Sequence, residues 1–136
     1  MNHVDTVKAM YAAFGTGDIP TILSHLAPNV SWEFEAPTEI SWAGIRKGIS
    51  EATGFFTNLA AEHADPKLEM SEFVASGDSV AAFGRYEATV KASGVRVNSP
   101  VGHLFKFDSS GKVVRYINLV NSAAFIEANR AAAAAR

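Results

Sequence analysis

Three connections in the second half of the chain are too short for anything but hairpins. Gly77-Asp78, Ser93-Gly94 and Asp108-Ser109-Ser110-Gly111 each separate long stretches rich in β-branched and aromatic residues. A parallel crossover needs about a dozen residues or more, so the stretches 67–76, 79–91, 95–107 and 112–120 can pair only as antiparallel neighbours in a meander. Gly84 and Pro100 fall inside two of these long strands, where such residues mark a bend or bulge, so the sheet is expected to curl.

The first half reads differently. Asn2 caps a helix whose Val4, Val7, Tyr11 and Phe14 share one face, and Gly15 and Gly17 end it. Asp18 caps a second, short helix with Pro20 in its first turn, which Ala27-Pro28-Asn29 breaks. VSWEFE at 30–35 alternates as one strand, a long irregular loop with Pro37, Trp42 and Gly44 follows, and 48–61 has helical spacing of Ile49, Ala52, Phe55, Phe56, Leu59 and Ala60. The alanine-rich end from Ser122 is helical by propensity, and 131–136 is expected to fray. Helices followed by an antiparallel sheet define an α+β class, here a single domain over 1–136 with its ordered core over about 2–130. If the sheet curls around the helices, a conical cavity remains between them.

Within this scheme the stretch VGHLFKF at 101–107 poses a question. Period two puts Val101, His103, Phe105 and Phe107 on one apolar face. His103 is then either a packed core residue with a satisfied hydrogen bond or one of the few polar groups in a pocket wall.

Composition removes several function classes. The net charge of -2, with no basic run longer than Arg46-Lys47, argues against a nucleic-acid partner. Without cysteine, disulfides, thiolate metal sites and cysteine nucleophiles are all unavailable. The four histidines, at 3, 25, 63 and 103, lack the spacing that places two metal ligands on one face, so no metal site is expected. GTGDIP at 15–20 lacks the third glycine and the preceding strand of a dinucleotide loop, and no GxSxG elbow is present. Residues 1–10 show no signal-peptide pattern and no apolar stretch approaches the ~20 residues of a membrane span, so a cytoplasmic protein without a membrane partner is expected.

The helix leading into GTGD, the strand WEF, IRKG ahead of a helix with FF, the turn SGDSV, the strand GRYEATV, and PVGHLFKFDSSGKVVRYINLVNSAAF together resemble the SnoaL-like polyketide cyclases. These belong with ketosteroid isomerase and limonene epoxide hydrolase in the cone-shaped nuclear-transport-factor-2-like superfamily. The resemblance covers roughly 4–127. It implies an apolar pocket lined by Trp32 and Phe34, by Tyr86, Ala88 and Val90, by Val101, His103 and Phe105, and by Tyr116, Asn118 and Val120. Tyr11, Phe14, Phe55, Phe56 and Trp42 supply further wall. It also implies a small hydrophobic molecule as ligand and a homodimer through the outer sheet face, where Glu33, Glu87 and Arg85 are expected to pair with one another, in solvent or at that interface.

Position by position, the relatives' chemistry transfers only in part. The tyrosine, base and neutral acid of ketosteroid isomerase fall on Met10, Phe34 and His103. The aspartate–arginine–aspartate set of limonene epoxide hydrolase falls on His103, Val101 and Asn118. The cyclases' histidine matches His103, but their aspartate base falls on Asn118, and an amide takes no proton at neutral pH. Two readings follow. One is a cofactor-independent isomerase or cyclase acting on a carbonyl compound, with His103 as acid or base, Asn118, Tyr116 and Tyr86 binding oxygen, and Glu35 as a substitute base at the cavity mouth. The other is a non-catalytic ligand-binding or dimerising module.

Overall fold

The computed structural model describes the backbone of residues 2–134 and the side chains of 2–131. Its elements are α1 (His3–Gly15), α2 (Ile19–Ser24), β1 (Leu26–Phe34), β2 (Gly44–Lys47), α3 (Gly48–Glu62), β3 (His63–Ser76), β4 (Ser79–Val90), β5 (Arg96–Phe107), β6 (Val113–Val120) and α4 (Ser122–Ala134). The caps act as expected: Asn2 Oδ1 accepts the Asp5 amide, and Asp18 Oδ1 accepts that of Thr21.

One six-stranded sheet runs in the order β2-β1-β6-β5-β4-β3. Its β3–β6 part is the antiparallel meander read from the turns. Two features depart from expectation. The strand expected at 30–35 begins at Leu26, running through the Ala27-Pro28-Asn29 segment that had read as a break, and it lies parallel to β6 with a register shift between Leu26 and Ser31. The end of the irregular loop forms β2, which covers the edge of β1. Proline is tolerated at such an irregular ladder because it sits where no hydrogen bond is required of it.

Gly84 shows why the sheet curls. A Cβ there would lie 2.0 Å from the Glu69 carbonyl oxygen, so only glycine admits the close approach of β3. Beside it the β3–β4 register slips between Met70 and Glu72. The curled sheet and the helices form the cone, with one apolar core running from Val7 and Met10 of α1 through Phe55 and Leu59 of α3 to Val80, Phe105 and Val113 of the sheet. Phe125 of α4 is buried against it, and α4 continues through Ala134, within the segment expected to fray; residues 135–136 lie outside the described residues.

On the convex face Glu33 has the expected outward parity but is only 8 % exposed. Arg115 lies over it, donating from Nε and Nη2 at 2.8 and 3.1 Å, and Ser31 adds a third bond at 2.8 Å. Those bonds, the guanidinium's foremost, hold the Glu33 carboxyl below its ordinary range. Arg85 and Glu87 do not pair with each other: Arg85 donates to Asn98, and Glu87 accepts from Arg96. Among the described residues no helix is long and apolar enough to cross a membrane.

Candidate functional site

The strand parity implied by the resemblance places both residues of alternate ladder pairs of β5 and β6 inside the cone. Val101 stands opposite Val120, His103 opposite Asn118 and Phe105 opposite Tyr116. All six line a cavity between sheet and helices, together with Tyr86 of β4, Trp32 of β1 and Trp42 from the loop ahead of β2. Tyr11 and Phe14 of α1 and Phe55 and Phe56 of α3 close it from the helical side, as expected. Met10, Ile22, Leu59 and Leu68 also line it and were not foreseen as wall.

Three expected wall residues do not reach the cavity. Phe34, 2 % exposed, stacks on Trp42 at 4.6 Å and serves as backing for the loop; Ala88 and Val90 are buried in the core beyond the cavity wall. Period two selects a face but not a depth, and these three sit where the cone is already filled. Glu35 is exposed and no part of the wall.

The cavity is narrow. Its free volume is about 60 Å³, below the ~150 Å³ of an engineered apolar cavity that takes up benzene. Aromatic contacts fill the rest: Trp32 stacks on Tyr116 at 3.6 Å, and Phe55 and Phe56 meet Trp32 at 5.7 and 5.3 Å. A ring-sized ligand therefore enters by displacing side chains. The unbranched Met10 and the half-buried Phe14 and Leu68 are the most readily displaced of those at hand.

His103 is a pocket residue, and it is satisfied. It is 7 % exposed, and its Nδ1 lies 2.7 Å from the Tyr11 hydroxyl, reaching across 92 positions of sequence. Burial depresses the imidazole to about 4 against an opposing influence of the Asn118 side chain, so the ring is neutral at pH 7. Burial also raises the Tyr11, Tyr86 and Tyr116 hydroxyls, which keep their protons; for Tyr116 the neighbouring Tyr11 adds to the rise. With Nδ1 engaged by Tyr11, Nε2 is the position left for a ligand. Met10, the position matching the ketosteroid isomerase tyrosine, supplies no hydroxyl, but its neighbour Tyr11 does.

Three polar atoms of the wall residues are buried without a partner: Trp32 Nε1, Trp42 Nε1 and Asn118 Oδ1. An unpaired buried polar group costs about 1–3 kcal/mol, so the cavity wall holds hydrogen-bonding capacity that its own residues leave unused.

A second pair escaped the sequence reading. His63 Nδ1 lies 2.7 Å from the Tyr86 hydroxyl, with both residues 5 % exposed. The imidazole packs between Phe125, stacked at 5.3 Å, and Trp42, edge-on at 5.2 Å. Burial lowers it too, to about 4, against a weak opposing pull from Glu62. Pro66 hid this residue by making the strand seem to start at Lys67. In the structure β3 begins at His63 and absorbs the interruption in a bulge, with Asp65 at φ 49 and a register shift between Ala64 and Lys67. Among the described residues no cluster of three or more His, Cys, Asp or Glu side chains is placed to hold a metal ion.

Solved structures share this architecture. An NTF2-like protein of unknown function from Burkholderia pseudomallei K96243 is 26 % identical and superposes with a TM-score of 0.87 over 93 % of this chain and 96 % of its own. TerC, co-crystallized with polyporic acid, is 26 % identical with a TM-score of 0.82 over 92 % of this chain and 95 % of its own. A SnoaL-like polyketide cyclase from Jannaschia sp. CCS1, at 19 % identity, shares the fold with a TM-score of 0.80 over 93 % and 90 % of the two chains. No curated protein matches the sequence. The family profile of the SnoaL-like domain matches residues 7–116, from α1 to the middle of β6. The chain belongs to the SnoaL-like domain family, within the NTF2-like fold.

Proposed function

We propose that the protein binds a small hydrophobic carbonyl compound in the cone and transfers a proton on it, as isomerases and cyclases do, with His103 as the acid–base group. The observation that carries this reading is the 2.7 Å bond between Tyr11 and His103 at the wall of an otherwise largely apolar cavity. In the tautomer whose Nδ1–H donates to the Tyr11 oxygen, Nε2 carries the free lone pair, and this nitrogen takes the proton from the carbon beside the carbonyl. The electron pair moves to the carbonyl oxygen, where the Tyr116 hydroxyl and the Asn118 amide can stabilise the enolate. The imidazolium then returns the same proton to another carbon. Because burial holds His103 near 4, it is in the proton-accepting form throughout the neutral range. The co-crystallization of TerC with polyporic acid supports small-molecule binding by a protein of this fold.

The test is deuterium uptake by cyclic enones in D2O, alongside thermal shifts with the enones and with polyporic acid. Wild type is expected to exchange the acidic carbon protons, and His103→Phe to lose at least about a hundredfold, the usual contribution of general acid–base catalysis. Stabilisation by a ligand without exchange in wild type would establish the binding-module reading instead.

We further propose that the outer sheet face pairs with a second copy. Leu119 and Phe83 are 64 % and 47 % exposed there, in register across Gly102, with Ile45 also exposed near the β1 edge. The cytoplasmic location expected from the sequence goes with this reading.

A further inference from the structure

Two tyrosine–histidine pairs border the cavity, and only one has been used above. Tyr11–His103 and Tyr86–His63 each close at 2.7 Å, and both Tyr11 and Tyr86 line the same space. They lie toward opposite ends of it. His103 faces Ala82 across the β4–β5 ladder, and Tyr86 is four residues further along β4. At ~3.3 Å per residue the two positions are no more than about 13 Å apart along the strand.

The second pair has no evident need to be polar for packing alone. His63 is enclosed by Phe125 and Trp42, where an apolar ring would fit. Its one side-chain hydrogen bond among the described residues is to Tyr86, so it fixes the orientation of a hydroxyl on the cavity wall. An independent feature marks this end as unfinished: the indole of Trp42, edge-on to His63, keeps a buried Nε1 without an acceptor. Aromatic side chains separate the two polar ends, with the Trp32–Tyr116 stack on the sheet side and Phe55 and Phe56 on the helical side.

The geometry points to a two-ended ligand: a flat apolar body of about two fused rings with an oxygen function at each end, one held at Tyr11–His103 and the other at the Tyr86 hydroxyl. His63 is the positioning residue for the second end. This inference rests on the reading of the cone as a ligand site and adds the class of ligand. Trp42 is placed to give the second oxygen an additional donor.

The experiment compares 2-naphthol, with one hydroxyl, and 2,6-dihydroxynaphthalene, with one at each end, by their own fluorescence on titration with the full chain. Wild type is expected to bind the diol roughly fivefold to tenfold tighter, the net effect of one added hydrogen bond. Tyr86→Phe should bring that ratio to about one, the diol losing more affinity than 2-naphthol. His63→Phe should do the same, and His63→Gln, whose amide can still bond the phenol, should restore the preference; a purely structural role for His63 would move both probes together. A wild-type ratio of one with 2-naphthol bound overturns the two-ended ligand and leaves the cavity reading standing. A diol preference that survives Tyr86→Phe overturns it as well, and failure of both probes to bind wild type overturns the inference and the reading together.

Discussion

Acid should unfold this protein through its two buried histidines. Both are neutral in the folded state because burial disfavours the imidazolium, with folded values of about 4 against about 6.5 for an unperturbed histidine. The unfolded chain therefore binds more protons than the folded one between these values, and stability falls as pH drops through that window. Above about pH 7 neither group contributes, and below about pH 4 the whole loss has been taken. Integrated from pH 7.5 to 4.5, each histidine costs about 2.5 kcal/mol, or about 5 kcal/mol for the pair. Domains of this kind have roughly 5–15 kcal/mol of net stability, so the loss is comparable to the total at the lower end of that range. The assay is urea unfolding at both pH values for wild type, His63→Phe, His103→Phe and the double variant. Each substitution also removes a hydrogen bond to a buried tyrosine, so absolute stability at pH 7.5 will fall. The readout is the difference between the two pH values, which should halve in each single variant and nearly vanish in the double. A residual remains from His25, which partial burial and then Lys112 also lower, and from Glu33 and Asp108, whose carboxyls are held low by hydrogen bonds and whose stabilisation is lost as pH falls toward their folded values. If His103→Phe keeps the full wild-type difference, His103 titrates as a solvated group and its burial in the cavity wall is refuted.

Three further outcomes are expected. Asn118→Asp places a carboxylate across the ladder from His103; at about 5 Å and an effective dielectric of about 20 the attraction is ~3 kcal/mol, so the pair's titration should rise by about two units, from about 4 to roughly 6. An imidazole Cε1–H resonance that still titrates near 4 would show that the two side chains do not face each other. Gly84→Ala drives a Cβ into the Glu69 carbonyl and should destabilise by about 3 kcal/mol or more in urea unfolding; a cost under about 1 kcal/mol would remove the proposed cause of the sheet's bend. Leu119→Arg should convert a dimer into a monomer by light scattering, whereas a wild-type monomer would sink the outer-face proposal.

The turns and the alternation of residues carried most of the architecture. Each two- to four-residue connection forces antiparallel neighbours, period two puts Val101, His103 and Phe105 on one face, and the family resemblance put Tyr86, Tyr116 and Asn118 on the same side; a slip of a single residue would turn all of them outward. The helix caps at Asn2 and Asp18 were equally legible, since a cap is a contact over three residues. The covering of Glu33 by Arg115, 82 positions away, was not.

What the sequence by itself determined was thus the class of fold, the meander and which side chains look inward. Only the tertiary structure decided how deep each one sits and which polar atoms meet. Phe34 and Trp32 share a parity, yet one backs a loop and the other lines the cavity. Tyr11 reaches His103, and His63 reaches Tyr86, because α1 docks on a sheet bent at Gly84 and because a bulge at Asp65 carries β3 back to His63. Alternation is a property of each strand alone, written in neighbouring residues. Curvature and docking are summed over the whole sheet, and no local stretch of sequence contains them.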